Sequence, residues 1–90
     1  MTFEWDENKN QTNKRKHGVS FEEAQTVFYD EQALLEYDEL HSEDEDRFRI
    51  LGCSDKGNIL LVRNESIIRI ISSRRATANE KAGYERSLKP

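Results

Sequence analysis

Residues 67–80 read IIRIISSRRATANE, and the fold turns on how this run is parsed. Ile67, Ile68, Ile70 and Ile71 are β-branched and dense enough to demand a buried strand. Arg69 interrupts them. A guanidinium stays charged at any physiological pH, so Arg69 must meet an anion or reach the rim of a sheet. Beyond the strand stand Ser72, Ser73, Arg74 and Arg75, and Thr77-Ala78-Asn79-Glu80 then spells a capping box, the signature of a helix start. A rigid strand running into a helix thus brings several arginines to one rim.

The residues before this run supply its partners. Phe48, Ile50 and Gly52 alternate with Arg47, Arg49 and Leu51, then Ser54 to Asn58 form a turn by their Asp, Gly and Asn content. Ile59 to Val62 read as the next strand, Arg63 to Ser66 as a second tight turn and Ile67 to Ser72 as the last strand, an antiparallel meander. With Phe48, Ile50, Leu60, Val62, Ile68 and Ile70 facing the helices, Arg49, Arg63 and Arg69 form an arginine column on the opposite face. A one-residue slip in register scatters that column. Ala33, Leu35 and Tyr37 alternate with Leu34, Glu36 and Asp38 and add a short edge strand.

Upstream, Phe3 and Trp5 are anchors, and Asp6 caps a helix over Glu7 to Lys16 that contains no apolar residue. A helix polar all round is weak alone, so Phe3 and Trp5 are expected to hold its ends, with Gly18 stopping it. Ser20 and Glu23 make a second capping box, with Val19 stapled on Ala24 and a stripe of Phe21, Ala24, Val27 and Phe28. After the sheet, Ala78 to Leu88 form a short helix with a weak apolar face. The pattern predicts one α+β domain over residues 1–90: two N-terminal helices packed on an antiparallel sheet of three or four strands, with a short C-terminal helix.

The 90 residues are 34% hydrophobic and 36% charged, so the core is small and the surface ionic. Charge is unevenly placed within the net −4: Lys9 to Lys16 hold four basic residues and no acid, while Glu22 to Arg49 hold eleven acids and two arginines. Arg63 to Pro90 hold seven basic residues and three acids, and two basic ends around an acidic middle suit a basic groove with a separate acidic face. Cys53 stands alone, which rules out an internal disulfide, and no apolar run reaches membrane-spanning length; a cytoplasmic location is expected. His17 and His41 are far apart and fit no metal-ligand spacing, so no metal or cofactor is expected. The arginines have two readings: pairs with the eighteen acids on a solvated face, or a phosphate-binding set suited to the planar guanidinium. His17, beside Lys14, Arg15 and Lys16, either joins that set or caps a helix end.

Taken in order, FEWDENKNQTNKRKHGVSFEEAQTVFYD, DELHSEDEDRF, LGCSDKGNILLV and IIRIISSRRATANEKAGYE resemble the BrnT family, the ribonuclease toxins of type II toxin–antitoxin modules. The resemblance runs from Phe3 to about Glu85 and rests above all on KHGVSFEEA, HSE and RIISSRRA in that order. It implies a RelE-like fold and metal-independent cleavage of RNA that inhibits translation and growth. It also implies a hetero-oligomer with a BrnA-like ribbon-helix-helix antitoxin, through which alone the complex meets operator DNA. Carried onto this chain, the recurrent residues fall at His17, His41, Glu43, Arg47, Arg69, Arg74 and Arg75. The implied catalytic set is Arg69, Arg74 and Arg63 with His41 or His17 moving the proton, and Lys14, Lys16 and Arg75 are expected to bind RNA. The chain departs from the pattern between Val62 and Ile67, where the hairpin is about four residues short. A degenerate toxin that keeps only the antitoxin-binding surface is the alternative.

Overall fold

The sheet is built from four strands in the order of the chain, β1 (Leu34–Tyr37), β2 (Arg47–Cys53), β3 (Ile59–Glu65) and β4 (Arg69–Arg75), each antiparallel to the next. This computed structural model describes residues 2–43 and 45–88. Among the described residues three α-helices accompany the sheet: α1 (Glu7–His17), α2 (Phe21–Ala24) and α3 (Ala78–Ser87). The architecture is therefore α+β. Val19, Phe21, Ala24 and Val27 from the N-terminal half pack on Ile50, Leu60, Val62 and Ile70 from one sheet face, with Phe3, Trp5, Phe28 and Ala33 at the margin. None of the described helices is long and apolar enough to cross a membrane.

α1 is capped at Asp6, whose carboxylate accepts from the Asn8 and Lys9 amides, and ended by Gly18 at φ 71°. Only glycine takes that left-handed conformation without cost. Trp5 stacks edge-on against Phe21 at 6.1 Å, but the ends are not what chiefly holds the helix. Two buried asparagines do. Asn10 Oδ1 accepts from the Phe21 amide at 2.8 Å, and Asn13 donates to the Val19 and Ser73 carbonyls while accepting from the Ser73 amide at 3.1 Å. Asn13 thus occupies the hydrogen-bonding edge of β4 as a neighbouring strand would.

The second N-terminal helix is shorter than expected. Only Phe21–Ala24 is α-helical; Gln25–Tyr29 wind as a 3₁₀ segment. Thr26, Val27, Phe28 and Tyr29 all lose side-chain freedom in an α-helix, and the Thr26 hydroxyl binds back to the Glu23 carbonyl and receives the Asp55 amide. Ser20 caps the Glu23 amide, but the Glu23 carboxylate crosses to Ser54 and Asn58 rather than completing a capping box.

The last hairpin also differs from expectation. β3 runs on through Arg63-Asn64-Glu65, and the turn is Ser66-Ile67-Ile68, with Ser66 and Ile67 at φ 48° and 66°. Asn64 is polar and reads as a turn residue, yet it is fully buried and donates to the Ile67 carbonyl at 2.9 Å, tying the turn from inside. Ile68 accordingly lies outside the strand and is exposed, whereas Ile70 is buried. A bulge follows: Arg63 pairs with Ser72 but Asn64 with Ile70. Ile71 is left over, as bulge residues are.

α3 begins with the full Thr77–Glu80 capping box and packs back on the protein. Buried Tyr84 donates its hydroxyl to Asp30 Oδ2 at 2.5 Å, the same oxygen that accepts the Cys53 amide. Burial, then the bond to Asp30, pushes the Tyr84 hydroxyl pKa upward. Gly52 lets the chain close here, because a Cβ on it would lie 2.9 Å from both Ala33 Cβ and Val27 Cγ1.

Candidate functional site

Residues directly opposite across strands share a face, so the register lays out the uncovered side of the sheet in rows. The middle row is Glu36, Arg49, Arg63 and Ser72; on one side lies Leu34, Leu51, Leu61 and Arg74, on the other Arg47, Glu65 and Arg69. Ser72, not Arg69, stands opposite Arg63; the bulge at Ile71 keeps Arg69 on this face but one row away, opposite Glu65. The arginine column expected from alternation therefore reads Arg49, Arg63 and, one row over, Arg74.

Most of these cations are already paired. Arg49 is bound by Glu36, Arg47 by Glu65 at 3.2 Å and Arg69 by Glu4 at 3.1 Å. Glu4 lies beside Arg69 because residues 3–5 run along the outer edge of β4, the Glu4 amide and carbonyl bonding Ile68 and Ile70. Arg74 grips Glu80 with two nitrogens, at 2.7 and 3.0 Å. That bond, with the Thr77 amide, outweighs burial and lowers the Glu80 carboxyl to about 2; in return Arg74 is raised. Arg63 is exposed and has neither ion pair nor hydrogen bond among the described residues. In a row of paired charges it is the cation available to a phosphate.

Around Arg63 is a pocket of about 250 Å³ lined by His17, Leu61, Arg63, Ser72, Ser73 and Arg74. His17 reaches it from the last turn of α1, which the Asn13–Ser73 bonds fix against β4. His17 and Ser72 also line a neighbouring groove of about 390 Å³ with Lys9, Lys16 and Ile71. The adjacent Lys16 and His17 lie about two helical turns beyond Lys9 on the side of α1 that borders this groove. Lys14 is exposed on the same helix but does not line this groove. Lys9 and Ser72 were not among the predicted site residues; the seven-residue spacing of Lys9 and Lys16 was the available signal for the first, and the place of Ser72 beside Arg74 and Arg75 at the strand exit was the signal for the second.

His41 is elsewhere. It ends a 3₁₀ turn, Glu39–His41, and its Nδ1 lies 3.0 Å from the carboxylate of buried Asp38. Burial works to raise the Asp38 carboxyl, but the His41 bond and the charges of Arg49 and Arg63 bring it below the usual range. The pocket at His41 is lined by Leu40, Glu43, Glu45, Arg47 and Glu65, an acidic surround that repels a polyanion. Arg75 is also apart: it donates to Asn58 at 2.9 Å, beyond the β2–β3 turn. The sequence-predicted residues thus divide. His17, Arg63, Arg74 and Lys16 come together; Arg69, Arg75, His41 and Lys14 do not.

The sequence model described as "Ribonuclease toxin, BrnT, of type II toxin-antitoxin system" matches residues 5–80. No curated relative matches the chain. The crystal structure of the Brucella abortus ribonuclease toxin BrnT superposes with a TM-score of 0.66 at 25% sequence identity, covering 86% of this chain and 97% of that one.

Proposed function

Because the chain belongs to the BrnT family of ribonuclease toxins of type II toxin–antitoxin systems, we propose that it cleaves RNA without a metal in the pocket between His17, Arg63 and Arg74. One observation carries the assignment: Arg63, unpaired, shares a pocket with an imidazole and with a second guanidinium. In this reading the 2'-hydroxyl attacks the adjacent phosphate in line and His17 takes its proton, imidazole being the side chain that exchanges protons near neutral pH. Arg63 meets the charge that develops on the phosphate oxygens. Arg74 joins it when the phosphate competes with Glu80 for the guanidinium. No second imidazole lines the pocket, so the proton taken by His17 is returned through water to the leaving 5'-oxygen, which restores the neutral imidazole and gives a 2',3'-cyclic phosphate and a 5'-hydroxyl. Lys9 and Lys16 draw the RNA along α1.

A toxin of this type acts with an antitoxin. The proposed partner is a BrnA-like ribbon-helix-helix protein that occludes the pocket in a cytoplasmic hetero-oligomer and alone contacts operator DNA. Unchecked, the cleavage inhibits translation and growth.

The test is RNA cleavage by the purified chain in EDTA, beside Arg63→Ala and His17→Ala variants of verified folding. The parent should leave cyclic-phosphate ends, and Arg63→Ala should lose on the order of 10²- to 10³-fold in rate with its melting temperature unchanged. Loss of parental cleavage in EDTA, or full activity in Arg63→Ala, overturns the assignment. A second reading has its own support: Arg49, Arg69 and Arg74 are each held by a carboxylate, as in a homologue that keeps the fold for antitoxin binding alone. Antitoxin binding by a parent that cuts no RNA, even with ribosomes present, selects that reading.

A further inference from the structure

The two edges of the sheet are treated differently. β4 is closed: Glu4 takes the Ile68 carbonyl and the Ile70 amide, and Asn13 takes the Ser73 amide and carbonyl. Among the described residues β1 has no such cover. The Asp38 amide donates to the Arg47 carbonyl directly opposite, and antiparallel pairs alternate between bonded and non-bonded. Glu36 and Leu34 therefore bond across to Arg49 and Leu51, while the N–H and C=O groups of Leu35 and Tyr37 point outward from the sheet. Every residue of β1 is exposed, Leu35 at 56% and Tyr37 at 44%, and Leu40 beyond it at 84%. Proteins usually blunt such an edge with Lys, Pro or a bulge; β1 has none of these.

From these observations we infer that β1 is a docking edge for an extended, basic segment of a partner protein, which adds as a fifth strand. Charge selects the partner. Asp30 to Asp46 contain no Lys or Arg, and Glu36, Glu39, Glu43, Glu45 and Asp46 stand exposed around the strand. A second copy of this chain is disfavoured by the same charges, since the antiparallel register that bonds the outward groups of Leu35 to those of Tyr37 in the other copy sets Glu36 against Glu36. Four outward backbone groups are too few to hold a partner alone, so lysine or arginine over the acids and apolar residues over Leu35 and Tyr37 must supply the rest. The inference stands apart from RNA cleavage, because the edge lies across the sheet from β4 and His17.

The probe is a capped seven-residue peptide alternating Lys and Val, added to the full-length chain while amide exchange is followed by NMR. At saturation the Leu35 and Tyr37 amides should exchange at least about tenfold more slowly, with binding weakened by salt. Two control peptides complete the test: one with Glu for Lys, one N-methylated on alternate residues to remove its outward donors. Both should fail to protect these amides. Equal protection by either control overturns the inference, as does no protection at millimolar peptide. Leu35 and Tyr37 amides already protected in a concentration-dependent dimer would assign the edge to a second copy instead.

Discussion

Arg63 and Arg74 share a pocket but face different tasks, and the difference lies in one carboxylate. Glu80 both completes the cap of α3 and receives two bonds from Arg74, so it fastens the end of β4 to the start of the helix. An exposed ion pair is worth little, but a two-pronged guanidinium bond shared with a helix cap is better ordered. The Glu80 carboxyl is lowered from 4.5 to about 2 in the folded chain. A lowered carboxyl contributes stability that is fully present above its unfolded value and is lost as pH falls through the folded one. The window for Glu80 is therefore from about pH 4.5 down to about 2. Melting temperatures measured across that range should show the parent well above Glu80→Gln at about pH 6 and the two converging near pH 2. Freed of its carboxylate, Arg74 in Glu80→Gln is also available to phosphate at neutral pH.

The strands were legible because Phe48, Ile50, Leu60, Val62 and Ile70 carry the two-residue period of a half-buried sheet, and β1 and α3 followed from alternation and a capping box. What stayed hidden is the polar work. Nothing periodic marks Asn10 or Asn13 as buried, yet they, not an apolar stripe, dock α1 and so place His17. Asn64 misled in the opposite direction: a residue that usually signals a turn sits in the core, and the hairpin it ties moves the turn three residues on. The bulge that follows is invisible to simple alternation, which grouped Arg69 with Arg63 on one face but could not say that Ser72, beside His17, is the residue opposite Arg63. The dependence of α1 on Asn13 can be measured. Asn13→Ala leaves the Ser73 amide and carbonyl and the Val19 carbonyl without their partner, a loss of about 2–3 kcal/mol in denaturant unfolding. Because His17 rides on the same helix, cleavage should fall even at temperatures where the variant remains folded.

Across the whole molecule, the acidic balance and the nucleic-acid reading are reconciled by separation. The net charge of −4 is concentrated on the β1 side and its following loop, while Lys9, Lys16 and Arg63 line the groove and pocket that meet at His17. On the proposed reading, binding of RNA draws on few cations, with the acidic end repelling the strand beyond the groove. Each neutralised phosphate of a single strand adds about 0.7 to the salt slope, so three cations give a slope of about −2 in log affinity against log salt. The measurement is fluorescence anisotropy of a labelled single strand with 2'-deoxy linkages, which the proposed chemistry cannot cut, titrated at several potassium chloride concentrations. Glu80→Gln should steepen the slope by about 0.7 by releasing Arg74, whereas Arg69→Ala and Arg75→Ala should leave it unchanged because those side chains lie outside the groove. A parent slope steeper than about −4 would mean that RNA engages cations well beyond the groove of α1 and the Arg63 pocket, and the footprint would then have to run across the paired arginines as well.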